Sequence, residues 1–319
     1  MSRTKTSGTK IRWAGREWTV GNLDKLYWPQ EGITKRDYLA YCLRMADVLI
    51  PYLRDRPLVV TRYPDGVEGK FFYQKDAPTH TPVWVRRIRV WSGDSKRWIR
   101  YILCNDTATL IWLAGQGVLE FHPWLSRADE MEKPDLAVVD LDPSQGADFH
   151  QAVEVALGLR ELLHFLGLRG YPKTTGKTGI HVYIPIRPVW GYRRVAEFIK
   201  RIGIFLAVEA PQSVTLERAV ARRRGVYVDY LQNGRGKTLV SPYSTRPHPA
   251  ATVSFPVDWE ELKTIRPDDF TLQTVPNLVE RNGDRFEALR NDPQSLDEPW
   301  SRLETLLRER RILTRKSSP

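Results

Sequence analysis

Leu136-Ala137-Val138-Val139-Asp140-Leu141-Asp142-Pro143 is the stretch on which the reading of this chain turns. The apolar run 136–141 is broken only by Asp140 and reads as a buried strand, in which residues i and i+2 point to the same face. Both carboxylates therefore converge at the strand's end, where a hard divalent cation such as Mg²⁺ or Mn²⁺ can bind. The chain has 20 Asp in 319 residues, so about one Asp-x-Asp pair is expected by chance, and a solvated strand end is the plain alternative. The apolar context adds the weight, because a half-buried carboxylate pair repels itself unless a cation neutralises it. Asp229 has a matching context in Val226-Tyr227-Val228-Asp229-Tyr230. Three carboxylates from two strands suffice for a two-metal site.

Outward from this strand, 148–166 reads as an amphipathic helix, 180–186 as a strand, 191–208 as a second helix and 226–231 as a further strand. Upstream, Thr34 and Asp37 form a capping box ahead of Tyr38, Leu39, Cys42, Met45, Ala46, Leu49 and Ile50, which predicts one helix over 35–53. Short β-rich runs follow at 58–62, 70–73, 83–90 and 98–103, with Pro64-Asp65-Gly66 turning between the first two. Asp106 caps a helix through Ala114, and 118–121 is another strand. Past Phe255 the pattern is helical and interrupted by proline, closing on Leu303, Leu306 and Leu307 in a basic helix. No repeat of 20 to 50 residues and no Gly/Ser linker divides the chain. The expectation is a mixed α/β (α+β) protein with two sheets.

Composition narrows the setting. The longest apolar run, 202–208, is far short of the roughly 18 residues that a membrane-spanning helix needs. Residues 1–10 are polar and basic with no apolar segment behind them, unlike a secretory signal. Cys42 and Cys104 lie in apolar stretches, which predicts buried thiols and a reducing, cytoplasmic setting. The net charge of +11 suits a polyanion such as nucleic acid, although many basic proteins are merely soluble. The excess recurs in blocks: five basic residues against one acidic in 1–20, six against one in 84–100, and six against two in 215–238.

Two further stretches carry chemistry. Lys173-Thr174-Thr175-Gly176-Lys177-Thr178-Gly179-Ile180-His181 contains Gly-Lys-Thr but lacks the leading glycine of a P-loop, and a strand follows it rather than a helix. Such a basic, hydroxyl-bearing turn can still hold a triphosphate through backbone N–H groups, with His181 adding a contact; a plain hairpin turn is the alternative. After Asp229 come Asn233-Gly234-Arg235-Gly236-Lys237 and Ser241-Pro242-Tyr243-Ser244-Thr245-Arg246. Lys237 and Arg246 have the charge that phosphates require, and a solvated basic loop is the bland reading.

Taken together, Asp140-Leu141-Asp142-Pro143, the 175–181 loop and the segment from Asp229-Tyr230-Leu231 to Arg246 resemble the polymerase domain of bacterial ligase D, in the archaeo-eukaryotic primase superfamily. Phe71-Phe72, Glu120-Phe121-His122-Pro123-Trp124 and the Pro-Tyr-Ser-Thr-Arg context of Arg246 support the match, which covers roughly 15–295. The resemblance implies a primase-like two-sheet fold with an RRM-like catalytic half flanked by helices. The implied layout is a flexible basic lead-in at 1–10, a primase-polymerase domain over 11–295 and a basic C-terminal helix and tail at 296–319. It further implies that Asp140, Asp142 and Asp229 hold two divalent ions, Mn²⁺ or Mg²⁺. Thr175, Lys177, His181, Gln232, Lys237, Ser241 and Arg246 bind the incoming nucleotide on this view. Asn22, Lys25 and Lys35 match a pocket for a downstream 5′-phosphate, and His122 lies near the active site. Phe71 and Phe72 stack on the template, with a core role expected for one of the two. Lys35, in the first turn of the 35–53 helix, suits an anion because free N–H groups and the helix dipole favour one there.

The sequence departs from the family where Thr175 replaces Ser, Lys177 occupies a Gly position, Thr178 a Lys position, and Gln232 and His248 stand at arginine positions. The implied function is template-directed nucleotidyl transfer, filling gaps and extending 3′ ends at DNA breaks in non-homologous end joining, with ribonucleotide preference. The implied partners are DNA with breaks or gaps and a 5′-phosphate, NTP or dNTP, a Ku-type protein and a separate ligase. The enzyme is expected to be a cytoplasmic, nucleoid-associated monomer. The alternatives are a stand-alone primase-polymerase in excision repair or primer synthesis, and a non-catalytic DNA-end binding module.

Overall fold

A computed structural model describes residues 8–93 and 95–312, which group into two units. The first is built from the described residues within 1–124, 238–255 and 268–284, the second from those within 125–237, 256–267 and 285–319.

Unit 1 starts with the hairpin β1 (Thr9–Trp13) and β2 (Arg16–Val20), followed by the short pair β3 (Leu26–Trp28) and β4 (Ile33–Thr34). The first hairpin begins inside the stretch read as a lead-in; residues 1–7 lie outside the described residues. The Thr34/Asp37 capping box is present: the Asp37 carboxylate accepts from Thr34 N–H at 2.8 Å and Thr34 Oγ1 accepts from Asp37 N–H. The single helix expected over 35–53 is two, α1 (Lys35–Arg44) and α2 (Ala46–Leu53). Met45, at φ −90° and ψ −1°, joins them. One tightened residue leaves the apolar period almost unshifted, which is why the pattern does not reveal it.

β5 (Leu58–Arg62) spans the predicted residues and pairs on one side with β9 (Val118–Pro123) and on the other with β6 (Phe72–Gln74) and, at Leu58, with β8 (Arg97–Ile102), which β7 (Arg87–Ser92) extends. β7 starts four residues later than the expected 83–90 strand, because Pro82 opens a turn closed by Val85 N–H on its carbonyl and leaves Val83 in solvent. α3 (Thr107–Gly115), capped by Asp106 as expected, is buried all round and packs on α1 and α2. Cys42 and Cys104 are both buried free thiols.

Unit 2 contains β10 (Leu136–Pro143), α4 (Phe149–Leu166), β11 (Tyr171–Thr174), β12 (Ile180–Pro185), α5 (Tyr192–Glu209), β13 (Val214–Thr215) and β14 (Val226–Val228). The sheet order is β11-β12-β10-β14-β13, with β13 joined to β14 in parallel and every other pair antiparallel. The crossover β10-α4-β11 thus skips β12, which is inserted later, and the crossover from β12 through α5 to β14 skips β10, which is already in place, the split βαβ order of the expected RRM-like half. The strand expected over 226–231 stops at Val228, because Asp229 caps a 3-10 turn, Tyr230–Asn233. A cap competes locally with the ladder in a way that β-propensity does not register.

Both helices cover one face. A Cβ on Gly203 of α5 would meet Val228 at 3.1 Å, and one on Gly170 would meet Leu163 and Val182. Val228 pairs with Leu141 and Val182 with Val139. The helix-covered face is therefore that of Val139 and Leu141, leaving Asp140 and Asp142 on the other. A last helix, Asp297–Glu309, packs on α4 and α5.

Candidate functional site

β10 lies between β12 and β14, and the antiparallel register sets Asp140 opposite His181 and Asp142 opposite Tyr227. Lys173 of β11 lies opposite His181 in turn, so Lys173, His181 and Asp140 form one row across three strands on one face. Asp140 Oδ1 is 3.2 Å from His181 Nε2, both side chains being almost wholly buried. Lys173 has no exposed surface and lies 5.8 Å from the Tyr183 ring centre. Asp229 joins the pair through its backbone, its N–H donating to the Asp140 carbonyl at 2.9 Å. Its carboxylate accepts from Leu231 N–H at 3.1 Å, Gln232 Nε2 at 2.9 Å and Tyr227 OH at 3.3 Å.

The charges are crowded. Burial and then the negative charges of Asp140 and Asp229 push the Asp142 carboxyl up to about 6, against the opposing pull of His181 and Arg223. A set of hard oxygen donors whose charges oppose one another fits a divalent cation of the Mg²⁺ or Mn²⁺ kind. Among the described residues no three His, Cys, Asp or Glu side chains already stand in a ligating arrangement. Asp229 is turned toward Gln232 and Asp140 toward His181.

The 175–179 loop is pressed against this end of β10. A Cβ on Gly179 would lie 2.7 Å from the Leu141 carbonyl and 3.0 Å from Asp142 Oδ1, so only glycine allows the approach. Thr175 closes the loop, its Oγ1 accepting from Lys177 and Gly179 N–H at 3.2 Å each. Those two backbone donors, expected to face a triphosphate, are thus engaged within the loop, while the Lys177 side chain is exposed. Gln232 holds Asp229, and Lys237 is exposed on the turn after it.

Unit 1 carries the remaining candidates. Thr61 pairs with Glu120 across β5 and β9, and Glu120 and His122 share a face at i and i+2. The His122 ring nitrogen Nε2 is 3.3 Å from Thr61 Oγ1 and 3.7 Å from Glu120 Oε2, while Arg246 Nε is 3.2 Å from Glu120 Oε1. Burial would raise the Glu120 carboxyl, but the neighbouring His122 ring and the Arg246 charge outweigh it and hold the group down at about 2. Sequence reasoning did not assign roles to Glu120 and Lys173. The i, i+2 spacing of Glu120 and His122 is the signal that could have found the first. Ser241 Oγ is wholly buried with no hydrogen-bond partner among the described residues.

Phe71 and Phe72 are 53% and 45% exposed, so the core role expected for one of them is not observed. Phe71 stacks on Tyr63 at 5.3 Å, and Arg62 lies 5.2 Å over Phe72. Lys35 Nζ donates to the Gly21 carbonyl at 3.0 Å, Asn22 takes a left-handed φ of 57°, and Lys25 pairs with Asp65 at 2.7 Å. The rationale of a free helix start is corrected: the Lys35 and Arg36 N–H groups donate to the Lys25 and Leu23 carbonyls, and Asp37 N–H to Thr34. Any anion there is left to side chains. Burial, then the charges of Lys25 and Arg62, lower the Lys35 ammonium to about 8.

Fold and site together define a class: a mixed α/β protein whose split βαβ sheet presents an acidic cluster at the end of its central strand. The family model for "LigD, primase-polymerase domain" matches residues 34–286. The bifunctional non-homologous end joining protein LigD of Bacillus subtilis is 36% identical over 284 residues, covering 88% of this chain and 45% of that protein. The multifunctional LigD of Mycolicibacterium smegmatis is 31% identical over 281 residues, 86% of this chain and 36% of that protein. The structure of the polymerase domain from Mycobacterium tuberculosis ligase D in complex with DNA is similar with a TM-score of 0.80 and 31% identity, over 87% of this chain and 99% of that one. The chain belongs to the LigD primase-polymerase domain family, and it spans less than half the length of these curated relatives.

Proposed function

We propose that the protein is a template-directed nucleotidyltransferase that fills gaps and extends 3′ ends at DNA breaks in bacterial end joining. The observation that carries this reading is the crowding of Asp140, Asp142 and Asp229 at the end of β10, where like charges are held together at a cost in stability. In this reading the three carboxylates hold two divalent ions, Mn²⁺ or Mg²⁺. When bound, these lower the pKa of a primer 3′-hydroxyl and offset charge on the triphosphate.

The chain's own residues do the rest. His181, fixed by Asp140, and Arg246, fixed by Glu120, donate to triphosphate oxygens, and the exposed Lys177 and Lys237 add charge. Thr175 and Gln232 act at one remove in this scheme, shaping the loop and holding Asp229. Exposed Phe71 and Phe72 offer faces for unpaired template bases, a contact worth roughly 1–3 kcal/mol per base. Lys25 and Lys35 take a downstream 5′-phosphate, and ribonucleotides are preferred. A Ku-type protein and a separate ligase are the partners of this activity.

Primer extension on gapped DNA tests the reading. Asp140→Ala with Asp142→Ala is expected to abolish extension and leave DNA binding in place; retained synthesis would overturn the assignment. Running the same assay with and without the 5′-phosphate, and with NTPs against dNTPs, tests the phosphate pocket and the sugar preference.

A further inference from the structure

On the side of unit 2 away from Asp140 and Asp142, α4, α5, the last helix and the start of β13 leave a cleft of about 530 Å³ between them. Val155, Leu162 and Phe165 of α4, Phe205 and Leu206 of α5, and Leu306 form its apolar lining. Phe165 is 56% exposed at its edge. Phe165 thus carries the apolar lining of the cleft out to its open edge. The rim is acidic: among the described residues that line it, Glu154, Glu161 and Glu209 stand against one cation, Arg310, which is 3.4 Å from Glu209.

That sign is unusual in a chain of net charge +11. The rim repels a nucleic acid backbone and attracts a cationic ligand. The cleft's volume and helix-walled shape suit apolar anchors spaced i, i+3/i+4, i+7 on one helical face. We propose that this cleft docks a cationic amphipathic helix of a partner protein, with its apolar face in the cleft and its Lys or Arg residues against Glu154 and Glu161. Because α4 and α5 cover the sheet face opposite the carboxylates, the docked helix leaves the acidic strand end open, and unit 2 can be recruited while it works.

A fluorescein-labelled peptide of about 18 Leu and Lys residues with amphipathic spacing, long enough to be helical, is titrated into the full chain and followed by anisotropy. The expected result is saturable binding in the micromolar range that weakens at least about tenfold in Phe165→Glu and in Glu161→Lys. Phe165→Leu keeps binding, and a peptide with Glu in place of Lys does not bind. Asp140→Ala with Asp142→Ala binds the peptide normally, so the outcome stands apart from the proposed catalysis. No saturable binding, equal binding of the acidic peptide, or binding unchanged in Phe165→Glu would overturn the proposal. So would a concentration-dependent dimer lost in Phe165→Glu, which would make a second copy the occupant.

Discussion

Glu120 shows how one buried carboxylate can organise a unit. It lies 3.7 Å from the His122 ring and 3.2 Å from Arg246, and its carboxyl is held near 2 against an ordinary value of 4.5. A group whose pKa is depressed by folding contributes stability above its unfolded value and loses it as the pH falls through the folded one. Glu120 therefore contributes up to about 3 kcal/mol above pH 4.5, declining between about pH 4.5 and 2. Urea titrations across that window should show this slope in the wild type and not in Glu120→Gln. At neutral pH the variant is expected to be destabilised by up to about 3 kcal/mol, because the buried Arg246 guanidinium loses the charge of a carboxylate 3.2 Å away. Asp142 is the opposite case, raised by burial and by its acidic neighbours. Asp142→Asn should raise metal-free stability at neutral pH by roughly 1–3 kcal/mol while abolishing extension. A metal-free melting temperature equal to or below the wild type would count against crowding at this site.

At the scale of elements, the register of β10 against β12 and β14 builds the acidic cluster, and the start of α1 builds the basic one. The loop 21–25 folds its carbonyls over the first N–H groups of α1 and over the Lys35 ammonium. The charge of Lys35 is thus conditional, since it is lost on passing through about 8. On the proposed 5′-phosphate role, the stimulation by that phosphate should be full near pH 7 and should weaken by up to about tenfold per pH unit above 8. Lys35→Ala should abolish the stimulation, and a flat profile between pH 7 and 9.5 would exclude Lys35 as the ligand. The same elements show what periodicity can carry. It located β5, α3, α4 and α5, and it missed the break at Met45 and the end of β14 at Val228, where a single backbone conformation or a cap decides.

At the scale of the molecule, the proposed metal ligands all belong to unit 2, as do the helices that form the acid-rimmed cleft, whereas the aromatic pair and the Lys25/Lys35 cluster belong to unit 1. A cation that binds only the folded state stabilises it by RT ln(1 + [L]/Kd), about 2.7 kcal/mol at one hundred times Kd. Mn²⁺ should therefore raise the melting temperature of the wild type and leave that of the Asp140→Ala, Asp142→Ala variant unchanged. The gain in hydrogen-exchange protection should fall on β10 and β14, and an equal rise in both proteins would place the cation elsewhere. No helix among the described residues is long and apolar enough to cross a membrane.

The amino-acid sequence by itself determined the strand with two carboxylates on one face, the capped helices around it and the basic blocks, because each is set by neighbours within a few residues. It also carried the family, through short motifs in a fixed order. The tertiary structure alone decided that Asp140 meets His181, that Asp229 turns to Gln232, that Glu120 holds Arg246, and that three helices far apart in sequence enclose an acidic-rimmed cleft. Those pairings depend on strand register and helix packing between distant segments, and a one-residue slip of a strand would send every one of its side chains to the other face.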